Sequence, residues 1–327
     1  MKGKGMRTRI IWLLDQLAPL LYLLIGRILR VHAFMGAREM PNAHRALDKF
    51  DIACVPYHYY QPVYNVADLP ERTWTEEDPL RGLDMNLDGQ LDLLQRFDYN
   101  SELLEFPWDE KDEKAGDSLG FYYNNGAYVE GDAEVLYSMI RHFQPRTLIE
   151  IGSGFSTRLA KSALDKNRSE GHDSRHVCIE PYEKPWLEQL GGTEVVRRRV
   201  EEVPPETFHA LQANDILFID STHVLRTRGD VFYEYLRILP ALNSGVIVHI
   251  HDIFFPFEYP RHWIQEQRWL WTEQYLLQAF LVYNSQFEIL LSLSYLAHFE
   301  KQALADKAPV FAGQTDSRPG GFWMRKR

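Results

Sequence analysis

At 327 residues, with 45% hydrophobic and 25% charged residues, the chain has globular composition and enough length to bury a large core, as one large domain with additions or as two. A formal net charge of −10 offers no broad attraction to a phosphate backbone and argues against a nucleic-acid substrate. The two cysteines, Cys54 and Cys178, form no metal-spaced pair and suit a reducing cytoplasm.

Residues 1–30 read as an apolar, basic N-terminal helix. Lys2, Lys4, Arg7 and Arg9 precede the apolar runs Ile10–Leu14 and Leu20–Ile25, and Arg27 and Arg30 follow. Asp15, Gln16 and Pro19 interrupt the centre, where a charge is costly in lipid, and no small-residue cleavage site stands out. Three arrangements fit: an interfacial helix in peripheral contact with anionic lipid, a helix packed on the domain or a partner, and a span or signal. The expected location is therefore cytoplasmic, with membrane association open.

Residues 31–119 read as an extension carrying a substrate arm. Prolines flank the aromatic cluster in Val55-Pro56-Tyr57-His58-Tyr59-Tyr60-Gln61-Pro62, which makes the segment extended. Such an arm either places His58, Tyr59 and Tyr60 against a substrate or packs as a hydrophobic strap. Residues 82–97 lead into a helix with Leu91, Leu94 and Phe97 on one face. Residues 109–117 are a charge-rich loop.

From residue 120 the pattern changes. The turn Asn124-Asn125-Gly126 comes first, and Asp132 reads as the N-cap of a helix over Ala133–Phe143. The central stretch follows. Leu148, Ile149 and Ile151 form a short buried strand, Gly152-Ser153-Gly154 a turn, and Ser156-Thr157 the lead into a helix over Arg158–Leu164. A Gly-x-Gly turn at that place lets backbone approach a ligand and aims helix N–H groups at it. A nicotinamide fingerprint would need a third glycine where Thr157 stands. Glu150 at the strand end suits an ammonium group instead.

Alternation continues to the end of the chain. Further strands are expected at His176–Tyr182, Glu194–Val196, Asp215–Asp220 and Gly245–Asp252, with helices at Arg228–Leu239 and Thr272–Tyr283. Two last strands, Phe287–Leu293 and Gly321–Arg325, complete the set. The expected fold is α/β, a doubly wound and mostly parallel sheet. Ligands of such a sheet bind beyond the carboxyl ends of the strands, which here carry Glu150, Glu180, Asp220, and His251 with Asp252.

Glu150-Ile-Gly-Ser-Gly-Phe-Ser156, Asp215–His223 and Val248–Pro260, with the Pro-x-His-Tyr-Tyr arm, resemble the methyltransferase-24-like bacterial group of class I S-adenosylmethionine (SAM)-dependent methyltransferases. That resemblance covers residues 120–327 and implies a Rossmann-like, seven-stranded SAM-binding domain. It implies that Glu150, Gly152, Ser153, Gly154, Ser156, Glu180 and Asp220 bind SAM, with Glu150 at the amino-acid end and Glu180 on the ribose hydroxyls. O-methylation of a small molecule or glycan would need a base, and a neutral imidazole suits that task near pH 7. His251 is the first candidate, with Asp252 beside it, and His223 the alternative base or a substrate ligand. His249 reads as a structural hydrogen-bonding residue. Asp220 and Asp252 match the places where related O-methyltransferases hold a divalent metal, and the nearby histidines would favour Mn²⁺, Fe²⁺ or Zn²⁺ over Mg²⁺. Trp263, with Trp269 and Trp271, is placed to wall the acceptor. A non-catalytic methyltransferase-fold module docking on a membrane or partner is the competing reading.

Overall fold

The computed structural model describes residues 2–112, 119–315 and 317–327; most of the charge-rich loop at 109–117 lies outside them. The described residues cluster into two compact units, Met1–Pro70 and Glu71–Arg327. The division falls at Pro70 rather than at residues 30 and 119. Residues from 71 onward join the sheet-bearing unit through contacts such as Asn86 Nδ2 donating to the Ile289 carbonyl at 2.9 Å.

The first unit holds α1 (Lys2–Glu39) and α2 (Pro41–Asp48). The expected helix at 1–30 thus runs further, with a break at Gly36, whose φ of 70° and ψ of −173° are not helical. Its stretch Thr8–Glu39 is long and apolar enough to cross a membrane, and little of it is buried. Ile10, Trp12, Leu17, Leu20, Leu23 and Leu24 are all exposed. After α2 the aromatic segment is non-helical, as the prolines dictate.

In the second unit α3 (Leu87–Gln95) packs on the sheet edge, its Gln90 Oε1 accepting from the Ser292 amide at 2.8 Å. Then come α4 (Asp132–Phe143), β1 (Thr147–Ile151), α5 (Phe155–Ser169), β2 (Arg175–Ile179), β3 (Thr193–Val196) and β4 (Ile216–Ile219). The helix expected at Arg228–Leu239 is instead a short α6 (Asp230–Tyr233) widening into a π-helical turn, Glu234–Ile238. β5 (Ile247–Ile250), α7 (Glu273–Leu281), β6 (Phe287–Ser292), α8 (Leu293–Phe299) and β7 (Phe322–Lys326) complete the unit. Short helices at Lys301–Ala305 and Pro309–Ala312, between β6 and β7, were not expected from the sequence.

The seven strands form one sheet in the order β3-β2-β1-β4-β5-β7-β6. The first five are mutually parallel, and β7 runs antiparallel between β5 and β6. Strand periodicity sorts the residues of β1. Leu148 faces the core with Met139, Leu159 and Ala160, while Ile149 and Ile151 face the opposite one with Tyr235, Ile238 and Leu277. Helices cover both faces. The strand order reverses between β1 and β4, so a crevice opens at their carboxyl ends.

Asp132 is not the N-cap. Gly131 holds that position, and the Asp132 carboxylate accepts from the amides of Gly320 (3.1 Å) and Gly321 (2.6 Å), tying α4 to the start of β7.

Candidate active site

A cavity of about 620 Å³ opens at the ends of β1, β2 and β4, lined by Gly152, Ser153, Glu180, Val200, Asp220 and Thr222 among others. Gly152 has φ +86°, and a Cβ there would lie 2.0 Å from the Asp220 carbonyl oxygen, so only glycine fits. Its amide donates to the Ile179 carbonyl at 3.0 Å, which fastens the bend to β2. The Gly154 amide donates to Thr157 Oγ1 at 3.1 Å, and the Thr157 hydroxyl donates to Glu150 Oε2 at 2.7 Å. The other Glu150 oxygen meets His176 Nε2. Both Glu150 oxygens are therefore engaged by protein, and the residue is 1% exposed.

Glu180 stands at the cavity. Its Oε2 accepts from the Ser153 amide at 3.3 Å and pairs with Lys184 Nζ at 2.8 Å, and its Oε1 accepts from the Tyr182 amide at 2.9 Å. Lys184 also donates to the Ser153 carbonyl, so the lysine clips the bend to the end of β2. Ser153 is buried beside Cys178, whose thiol its side chain engages. Ser156 is buried in the first turn of α5.

A second group lies past β4 and β5. His223 Nε2 is 3.3 Å from Asp220 Oδ1 and 3.5 Å from Asp252 Oδ2, while its Nδ1 is 2.8 Å from Glu273 Oε2. His251 Nε2 lies 3.6 Å from Asp252 Oδ1, and its ring lies 4.9 Å from that of Tyr128. His223 (φ 57°) and Asp252 (φ 60°) both hold left-handed backbone, a costly conformation that concentrates at functional sites.

Electrostatics follow from this crowding. Burial opposes charge on His223, but its bonds to Asp220 and Glu273 outweigh that and raise its pKa well above the ordinary imidazole value. Burial likewise opposes charge on His251, and the carboxylates of Asp252, Asp220 and Asp132 overcome it, so that pKa is raised too. Enclosure pushes Asp220 up, yet the His223 bond and the His251 charge bring it to about 2. Burial raises Asp252, and it raises Asp132 to about 6. His249 differs from expectation. It stacks on Phe218 at 4.3 Å and meets Trp323 at 4.4 Å in a tilted contact, neither ring nitrogen has a partner among the described residues, and burial lowers its pKa well below the ordinary value. Its place in the core is set by ring stacking, not hydrogen bonds.

Residues 149–253 match the family model described as a methyltransferase domain. The stretch of the second unit from β1 to the end of β5 is thus similar to a methyltransferase domain. A protein of Archaeoglobus fulgidus, described as uncharacterized, is 29% identical over 172 residues, which is 49% of this chain and 75% of that one. The O-methyltransferase TomG from Streptomyces achromogenes, solved with SAM, is 16% identical, covering 59% of this chain and 78% of that chain with a TM-score of 0.30. CalS11, a TDP-rhamnose 3'-O-methyltransferase of calicheamicin biosynthesis, is 12% identical, covering 79% and 99% with a TM-score of 0.40.

In the second unit, the loop after β5 brings its aromatic residues to the second group. Trp271 lies 4.3 Å from the His223 ring, and Trp263 and Trp269 lie 5.1 Å and 5.0 Å from Trp271. His58, Tyr59 and Tyr60 belong to the first unit, where His58 stacks on Tyr59 at 4.2 Å and both tyrosines are exposed. The Asn125 side chain closes its own turn by accepting from the Ala127 and Tyr128 amides and donating to the Tyr122 and Tyr128 carbonyls. That turn sets Tyr128 against His251.

Sequence reasoning missed Tyr128, Thr157, His176, Lys184 and Glu273. Thr157 carried a signal, since a hydroxyl stands where a nicotinamide fingerprint would need its third glycine. Glu273 carried none, being 50 residues from the histidine it holds.

Proposed function

We propose that this domain transfers the methyl group of SAM to a hydroxyl oxygen of a small molecule or glycan, with His251 as the base. The cavity beside Gly152 carries the reading. Its volume of about 620 Å³ lies within the range of small-molecule pockets. A Cβ at Gly152 would meet the Asp220 carbonyl oxygen, and a carboxylate stands at the end of β2. These features fit SAM, with Glu180 on the ribose hydroxyls, Gly152, Ser153, Gly154 and Ser156 around the amino-acid end, and Asp220 at the far wall.

SAM supplies an electrophilic methyl group, and the accepting hydroxyl must lose its proton during attack. His251 in its neutral form takes that proton, and the Asp252, Asp220 and Asp132 carboxylates stabilise the resulting cation. Trp263 and Trp271 form an apolar wall on the acceptor side. Asp220, His223 and Asp252 offer ligand atoms within 4.8 Å of one another, a donor set that fits a divalent metal such as Mn²⁺ better than Mg²⁺. When bound, such an ion would polarise the acceptor oxygen. His223 must release its proton to join it. The exposed apolar surface of α1, flanked by Arg9, Arg27 and Arg30, supports membrane association, which sedimentation with anionic vesicles tests: recovery wholly in the supernatant rejects it.

Calorimetric titration of the purified protein with SAM should give saturable one-site binding, and absence of saturable heat removes the enzyme reading. Screening hydroxylated acceptors for S-adenosylhomocysteine release then identifies the substrate.

A further inference from the structure

We propose that Thr157, Glu150 and His176 form a buried positioning relay that sets the glycine bend, so that Glu150 acts on the ligand through the Gly154 backbone and not by contact. This rests on reading the adjoining cavity as the SAM site.

The three side chains are 0%, 1% and 2% exposed, and they run inward from the bend. Glu150 is two residues from Leu148 on β1, so it faces the same core as α4 and α5. His176 reaches it from β2, the register pairing Leu148 with His176 and Glu150 with Cys178. The direction of each bond follows from chemistry. Glu150 as a carboxylate only accepts, so the Thr157 hydroxyl donates to one oxygen and His176 Nε2–H to the other. His176 Nδ1 then accepts from Thr193 Oγ1 at 3.2 Å. Having spent its proton on Glu150, Thr157 Oγ1 is left as an acceptor, and it takes the Gly154 amide at 3.1 Å.

A hydrogen bond from Gly154 therefore fixes the peptide plane of the bend from the inside, while Glu180 and Lys184 hold Ser153 from the cavity side. A third glycine at position 157 would remove the side chain that joins Glu150 to the bend. Thr157 is thus a positioning residue, and Glu150 and His176 keep its hydroxyl pointed one way.

Thr157→Val keeps the branched shape and removes the hydroxyl, whereas Thr157→Ser keeps the hydroxyl. Two readouts are taken on the full chain: SAM affinity by calorimetry alongside turnover at saturating SAM, and hydrogen exchange of the Gly154 amide in ligand-free protein. T157V should weaken SAM binding about tenfold or more, as expected when a buried carboxylate loses a partner, with saturated turnover kept within about threefold. Gly154 exchange should accelerate in T157V, and T157S should restore both readouts to within about threefold. If T157V fails to fold, H176F cuts the relay at its far end and should shift the same readouts in the same directions. Wild-type affinity and unchanged Gly154 exchange in a folded T157V would overturn the relay, as would a loss of turnover at unchanged affinity. If the wild type binds no SAM while T157V still frees the Gly154 amide, the relay stands and the ligand assignment falls. If neither is seen, both fall.

Discussion

The two halves of the site are built on opposite principles. Beneath the glycine bend, Glu150, Thr157 and His176 are buried, mutually bonded and placed on regular strand and helix. Past β4 and β5, His223 and Asp252 hold left-handed backbone, and His251 Nδ1 is buried with no partner among the described residues. A satisfied network gives a fixed shape, which suits holding a ligand that must bind the same way each time. Crowded, partly unpaired charges give shifted proton affinities, which suits a site where a proton must move. Under the proposed function, binding falls to one half and chemistry to the other.

The contrast breaks most visibly at His251. His251→Ala is expected to lower turnover by about 10²–10⁴-fold while leaving SAM affinity within a few-fold, measured by S-adenosylhomocysteine release beside calorimetry. Full activity would take the base away from this histidine.

Asp132 tests the charge stress through stability. Burial raises its pKa from 3.8 to about 6, about two units, or of order 3 kcal/mol at roughly 1.4 kcal/mol per unit. A group whose folded pKa is raised lends stability that is whole below pH 3.8 and lost as pH rises through about 6. Denaturant titrations of wild type and Asp132→Asn between pH 4 and 7 should therefore show a slope in the first that is absent from the second. Equal slopes would mean that the Gly320 and Gly321 amides already compensate the charge.

Glu273 sharpens the comparison with a smaller effect. Its carboxylate orients His223 through Nδ1, and Glu273→Gln should cost about 10–100-fold in Mn²⁺ affinity or in metal-stimulated turnover. No change in either would leave His223 outside any metal site.

Much of this arrangement could be read from the residues alone, because it is local. Apolar runs ending in Glu150, Glu180, Asp220 and His251-Asp252 mark strands and their carboxyl ends with no knowledge of neighbours. What escaped is long-range. Asp132 has the appearance of a helix cap, yet its partners are 188 and 189 residues away. His249 has the appearance of a hydrogen-bonding residue, yet it is held between a stacked Phe218 from β4 and a tilted Trp323 from β7. The division at Pro70 was equally hidden, since it depends on α3 meeting β6 across about 200 residues of chain.

The place of β7 has a consequence for synthesis on the ribosome. β7 follows every other strand in the chain, yet it sits between β5 and β6 and pairs with both. Until residues 322–326 emerge from the exit tunnel, β5 and β6 each present an open flank. Vectorial folding can therefore seal β3, β2, β1 and β4 early, but the half of the sheet that presents His251 closes last.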